Sequence, residues 1–230
     1  MKPVLELLKS FYIQRIILYC VIAVFSFLVI VPLGDLKIRF TDGHCSRCLL
    51  YSTVMYAFNA TSTQTYCRQI EFGEQEVCEY SIAVSSVFCL IYPSLFSVVY
   101  FFLYRRDNAE TRDENKLDLA QGLFLLHILF EVAVVILMLV SACLITAGYR
   151  FICDSLHGDG HQLGSCMDAE NFANWCGYDG SNFYVSLAIS TAGGWCLFVS
   201  WLLQGLLGMW KLWRLNMLPV LPLPCCKQDE

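Results

Sequence analysis

Apolar residues gather into four long runs, at 16–33, 80–104, 117–149 and 183–213, separated by segments rich in charge, glycine and cysteine. Each run is near or above the ~20 residues a helix needs to cross hydrocarbon. The stretch 80–103 carries no charge. A buried helix of a soluble protein seldom stays apolar for so long and usually keeps one polar face. The pattern predicts four membrane spans, at 16–33, 80–104, 119–149 and 183–210. They divide the chain into an N-terminal segment 1–15, a first loop 34–79, a middle loop 105–118, a second loop 150–182 and a tail 211–230. The basic start, with Lys2, Lys9 and Arg15, imitates a signal peptide. The run that follows is long, however, and ends in Val31-Pro32-Leu33-Gly34-Asp35 without a small-x-small cleavage pattern, so it reads as a retained span.

Composition agrees. Apolar residues make up 57% of the chain and mean hydropathy is +0.55, too high for an ordinary soluble domain. The net charge of −5, with no basic run, excludes a nucleic-acid binder. Charge also predicts orientation, because basic residues concentrate on the cytosolic side. Lys2, Lys9, Arg15, Arg105, Arg106, Arg112, Lys116, Lys211, Arg214 and Lys227 flank one side, leaving Lys37, Arg39, Arg47, Arg68 and Arg150 for the other. Cysteine votes independently. The first loop holds Cys45, Cys48, Cys67 and Cys78, the second holds Cys153, Cys166 and Cys176, and the middle loop holds none. Disulfides persist outside the cytosol. Both termini are therefore expected in the cytosol and the cysteine-bearing loops outside, at the plasma membrane or in endomembranes. Aromatic residues at the span ends, such as Phe11, Tyr12, Tyr104, Tyr149, Trp210 and Trp213, fit interfacial belts.

In the first loop, Leu36-Lys37-Ile38-Arg39-Phe40 alternates apolar and basic residues, and 49–58 is rich in β-branched and aromatic ones. Both read as strands, with Asp42-Gly43 as the turn between them. The expected form is a small disulfide-stapled sheet above the bundle. Four cysteines allow three pairings. Cys48 with Cys78, joining the sheet to the top of the second span, and Cys45 with Cys67 is the favoured set. Cys45-Ser-Arg-Cys48 has the spacing of redox or zinc sites, but His44 is isolated and no βαβ unit surrounds it, so structural disulfides are expected. Cys153 and Cys166 can close a local loop around His157-Gly-Asp-Gly-His161, a turn read as solvated rather than metal-binding. Cys176 is then left over, as a free thiol, an intermolecular partner or the sign of a different pairing. Asn59-Ala60-Thr61 is a glycosylation sequon.

Within the spans, Glu131 is the one deep acid, about 18 Å past a start near Leu119, with His127 one helical turn earlier and Gln204 at similar depth on the fourth span. Intramembrane ionisable groups mark function by default. The bland reading is a neutral, hydrogen-bonded Glu131 that locks the bundle, for which Glu131→Gln is tolerated. The sharper one is a proton or ion relay. Ser186, Ser190 and Gly194 form a small-residue stripe for close helix packing, and Pro93 predicts a kink in the second span or a loosening of its pairing. The tail has a proline-rich stretch at 218–224, followed by Cys225 and Cys226, palmitoylation candidates.

The stretch Phe25-Ser-Phe-Leu-Val-Ile-Val-Pro-Leu33, Arg47-Cys48-Leu49-Leu50, Cys78, Leu139-Val-Ser-Ala-Cys143, Cys153 with Cys166, and Phe183-Tyr184 together resemble the transmembrane protein 179 family, claudin-like four-span proteins. The resemblance covers most of the bundle. It implies an all-α transmembrane four-helix bundle, left-handed, with a long third helix and a small disulfide-stapled extracellular β-sheet. It implies no particular activity. The first loop lacks tryptophan and the Gly-Leu-Trp cysteine signature of classical claudins, so a tight-junction barrier is not implied. No catalytic residues, metal site or cofactor are expected. The functional expectation is a non-enzymatic interaction, adhesion-like or accessory subunit that meets a membrane-protein partner through its outer loops, with homo-oligomers also open. The alternative is a channel or transporter component using Glu131 and His127.

Overall fold

The computed structural model describes residues 2–42, 45–59, 64–106, 117–157, 166–171 and 175–214. In chain order these form α1 (Lys2–Arg39), two short strands β1 (Thr41–Asp42) and β2 (Cys45–Ser46), and a longer hairpin of β3 (Cys48–Asn59) and β4 (Gln64–Gly73). Then come α2 (Gln75–Val84), a π-helical segment (Ser85–Ile91), α3 (Tyr92–Arg106), α4 (Leu117–His157), a 3₁₀ turn (Cys166–Asn171) and α5 (Phe183–Arg214). Phe11–Arg39, Gln75–Arg105, Phe124–Leu156 and Phe183–Trp213 are each long and apolar enough to cross a membrane.

The helices share one packing rule. From Arg15 onward, α1 and the residue after it bury Arg15, Tyr19, Ile22, Ser26, Val29, Leu33, Leu36 and Phe40, steps that alternate four and three. In α4, Glu131, Met138, Ile145 and Ile152 are buried at every seventh position, and α5 repeats the α1 rhythm from Phe183 through Leu187, Ser190, Gly194, Leu197, Trp201, Gln204 and Gly208. A 3.5-residue seam is what left-handed bundles bury. The opposite faces, with Val24, Phe27, Val31, Leu126, Leu129 and Leu206, are apolar and exposed, as lipid-facing surfaces must be. Close approach needs small residues: a Cβ added to Gly194 would already stand 3.5 Å from the Ala142 backbone, and a side chain on Gly193 would collide with Leu28. The Ser186–Ser190–Gly194 stripe therefore packs inside the bundle.

Two sequence expectations are overturned here. The stretch 36–40 is not a strand but the last turn of α1 and the residue after it. Leu33, Leu36 and Phe40 continue the helical burial rhythm, and Arg39 pairs with Asp35 one turn back at 2.7 Å. Alternation over five residues also fits an i, i+4 spacing, and the neighbouring helix decides between them. Second, Cys67 is bonded not to Cys45 but to Cys176, with Cα atoms 5.1 Å apart. The register sets Cys67 opposite Tyr56, midway along β4, and the turn before α5 reaches it there. Cys176 is thus neither leftover nor free. Cys45 lies in β2, and its side chain is outside the described set.

Cys48 is bonded to Cys78, tying β3 to α2, and Cys153 to Cys166, tying α4 to the 3₁₀ turn. The hairpin also sits on α4 through a local irregularity. Between the pairs Cys48↔Gly73 and Thr53↔Glu71, β3 bulges, and Tyr51 takes φ 60°. The bulge drives buried Leu50 and the Tyr51 ring against Gly148, where a Cβ would come within 3.0 Å of both. Phe40, Phe72, Trp175 and Tyr178 complete a second, aromatic core beneath the hairpin, with neighbouring ring centroids 5.4–6.2 Å apart.

Pro93 acts as expected, through the π segment before it. Proline cannot donate to the carbonyl four residues back, and its ring crowds that carbonyl. Widening the preceding turns relieves this, and the Tyr92 N–H pairs with the Val87 carbonyl, five residues back.

Candidate functional site

The seam of the bundle contains one strongly polar layer, and all four spans build it. Arg15 and Tyr19 come from α1, Tyr92 and Tyr100 from α3, His127 and Glu131 from α4, and Gln204 and Gly208 from α5. Arg15 is fully buried and grips Glu131 as a fork: Nη1 donates to Oε1 at 2.8 Å and Nη2 to Oε2 at 3.0 Å. Nη1 also donates to the Tyr100 hydroxyl at 3.1 Å, and Nη2 to the Gln204 backbone carbonyl at 3.4 Å. Phe11, Tyr100 and Phe124 ring the guanidinium, with centroids 5.1–5.9 Å away. Gly208 makes room for it, since a Cβ there would collide with Nη2.

On its other flank Glu131 accepts the Tyr19 hydroxyl at 2.6 Å. His127 Nε2 lies 3.2 Å from the Tyr19 oxygen and 3.3 Å from Glu131 Oε1, and Nδ1 lies 2.8 Å from the Tyr92 hydroxyl. Tyr19 has one proton and points it at the carboxylate. In the neutral ring Nε2 therefore carries the hydrogen and Nδ1 accepts from Tyr92. Both carboxylate oxygens and both ring nitrogens are engaged. Among the described residues, the buried Gln204 side-chain amide and Arg15 Nε have no hydrogen-bond partner.

This layer combines residues that the sequence presented separately. Glu131 and His127 do meet. Gln204 reaches the cluster through its carbonyl rather than its amide. Arg15, counted among the residues outside the membrane, is the carboxylate's partner. The bland reading of a neutral acid gives way to a bidentate ion pair, and the tolerance expected of Glu131→Gln no longer follows, because the guanidinium would be left buried and unpaired. A local signal for Arg15 existed: the alternating rhythm of Tyr19, Ile22, Ser26 and Val29, carried back one step, lands on it. One turn closer to the end of the bundle, the Lys211 ammonium sits over the Phe11 ring at 3.8 Å, with Tyr12 at 5.0 Å and Phe124 at 5.4 Å.

Chemically, this arrangement holds charge in place. Arg15, Tyr19 and Glu131 have no exposed surface, and the His127 side chain is only 11% exposed. Among the described residues no three His, Cys, Asp or Glu side chains converge as metal ligands. The bonded cysteines Cys48, Cys78, Cys67, Cys153 and Cys166 lie at the opposite end of the bundle. Asn59 ends β3, with its side chain and the rest of the sequon outside the described set. The glycine-rich segment 158–161 and Cys225 and Cys226 also lie outside it.

A family model for the transmembrane protein 179/179B claudin domain matches residues 11–218, from the first span to beyond the fourth. The chain belongs to this family. As a claudin-domain protein it is an integral, multi-pass membrane protein whose four apolar helices carry a small disulfide-bonded antiparallel hairpin. No solved structure matches it. The family match encloses both the polar layer and every disulfide.

Proposed function

We propose that this claudin-domain protein is a non-enzymatic interaction or accessory subunit, and that it meets a membrane-protein partner through its cysteine-rich outer face while both termini lie in the cytosol. One observation carries the reading. Three disulfides tie the hairpin and its neighbours to α2, to α4 and to the turn before α5, so the face is rigidly seated on the bundle. A preorganised surface loses little entropy on docking. Met55 on β3 and Met167 on the 3₁₀ turn are 41% and 56% exposed there, outside the spans, and methionine adapts to partner surfaces. The charge bias and the cysteine-free middle loop support the orientation. The engaged state of Glu131 and His127 argues against the channel or transporter reading, because a relay needs a group free to release its proton.

The test is a photo-crosslinking residue at Met55 or Met167 in native membranes, with Leu95 on the lipid-facing side of α3 as control. The outer positions should give a discrete protein adduct and the control lipid alone. Adducts only from the control, together with proton-dependent flux in vesicles that Glu131→Gln abolishes, would move the assignment to a transporter component. Orientation is read separately. Glycosidase treatment should increase gel mobility in a manner lost in Asn59→Gln, and unchanged mobility counts against an outward hairpin.

A further inference from the structure

We propose that Cys67–Cys176 is a thiol–disulfide exchange site for small thiols, distinct from the two structural disulfides beside it. The inference uses the outward placement proposed above only to say which thiols reach it.

The three bonds differ in surroundings. Cys48 and Cys78 are 1% and 5% exposed, and Cys166 is 8% exposed, so the first bond is shut at both ends and the third at one. Cys67 and Cys176 are both partly exposed, and Cys176 is followed by exposed Gly177. Exchange requires a thiolate to reach a sulfur directly, so access decides which bond reacts.

Backbone conformation is the second observation. The Tyr178 N–H pairs with the Trp175 carbonyl at 2.9 Å, closing a four-residue turn whose central residues, Cys176 and Gly177, have φ 52° and 92°. Positive φ at both positions is the type I′ pattern, which favours asparagine, aspartate or glycine at the first. Cysteine there is held in a left-handed conformation disfavoured by its Cβ. The rest of the turn is fastened elsewhere. Trp175 is buried and donates to the Ala169 carbonyl at 3.1 Å, and Arg39 holds Asp179 at 3.0 Å and the Ser181 hydroxyl at 2.8 Å. What the disulfide governs is therefore short: Cys176, Gly177 and Tyr178. The Tyr178 ring, 5.6 Å from Phe40 and 5.4 Å from Phe72, also lines a cavity of about 390 Å³ with Arg47, Ile70 and Phe72.

The exchange balances as follows. An external thiolate attacks Cys176 Sγ, forms a mixed disulfide and expels the Cys67 thiolate, which takes a proton from water. A second external thiolate attacks the external sulfur of that adduct, forming a small-molecule disulfide and releasing the Cys176 thiolate, also protonated from water. Two electrons pass from two thiols to the protein bond. Cys176 then leaves its left-handed conformation, and Tyr178 moves off Phe40 and Phe72, widening the cavity.

The experiment uses the full chain in detergent micelles, titrated with glutathione, quenched by alkylation and mapped by peptide mass spectrometry. Cys67 and Cys176 should be alkylated at least about tenfold faster than the other four bonded cysteines, with a glutathione adduct on Cys176 at intermediate times. Hydrogen exchange at 176–178 should rise severalfold on reduction while 64–73 stays protected. Reduction of Cys153–Cys166 first, or of all three bonds together, overturns the proposal. So does unchanged exchange at 176–178 once Cys67–Cys176 is open. Repeating the titration on intact cells separates the readings: labelling in micelles but not on cells supports the exchange site and sinks the outward placement.

Discussion

The two ends of this molecule solve the same problem by different means. At the end where α1 begins and α5 finishes, four helices are fixed to one another by a buried guanidinium–carboxylate fork and three tyrosines. At the other end, a twelve-residue strand and its ten-residue partner are fixed by covalent bonds. Lipid tails are as apolar as leucine, so burial alone cannot choose a helix arrangement, and polar contacts do so. In water the reverse holds. Charges are screened, a hairpin has little core, and staples substitute for it. Ion pairs at this end, such as Lys37–Glu79 and Arg39–Asp179, correspondingly have exposed carboxylates and half-buried basic partners.

The sharpest way to break the comparison is to remove one charge. Arg15→Gln or Glu131→Gln leaves the other charge buried, with an expected cost of about 3–5 kcal/mol. Replacing both by methionine should recover most of that loss. Thermal unfolding in micelles and surface delivery check both claims, and a double variant that loses as much as the two single variants added together would show that the residues do not act as a pair. At the other end, Cys48→Ser or Cys78→Ser should cost about 2–5 kcal/mol and cause retention early in the secretory pathway. Here the double should be no worse than either single, measured by the same delivery assay.

Smaller changes sharpen the contrast. Gly208→Ala puts a methyl where the guanidinium lies and should cost about 1–3 kcal/mol, read as a lower unfolding midpoint. The hairpin end should not register it in hydrogen exchange. The least effect comes from pH. The Ser181 hydroxyl and backbone N–H, helped by Arg39, hold the Asp179 carboxyl below its ordinary value. Its contribution is therefore complete above the unfolded value of ~3.9 and lost only as pH falls through the lower folded value. Hydrogen exchange at 179–182 should be flat from neutral pH down to about 5 and rise only in stronger acid.

What could be read in the sequence follows the range of the interactions. The four spans are local patterns. The disulfides Cys48–Cys78 and Cys153–Cys166 close short separations of 30 and 13 residues, within reach of loop-by-loop reasoning. Cys67–Cys176 spans 109 residues and joins two loops, which no counting within one loop can find. Arg15–Glu131 is the same kind of case, 116 residues apart. A basic residue near the start of an apolar run looks like the boundary of a span until its acid partner draws it inside. Residues 36–40 satisfy both a period of two and a helical step, and only the neighbours of Leu36 and Phe40 discriminate. The Tyr51 bulge left no trace because the glycine it packs against, Gly148, is on α4, far along the chain.

The π segment in the second span has a mechanical meaning of its own. Each residue added to a helix turns everything beyond it by about 100°. Segment 85–91 stands between Cys78, which must face the hairpin, and Tyr92 and Tyr100, which must face His127 and Arg15. It acts as a phase shifter, letting one rod keep two appointments that a regular helix would set on conflicting bearings. Shortening 85–91 by one residue would swing Tyr92 away from His127 or wrench Cys78 from Cys48. The gearing between the two ends of the protein is set by those few turns.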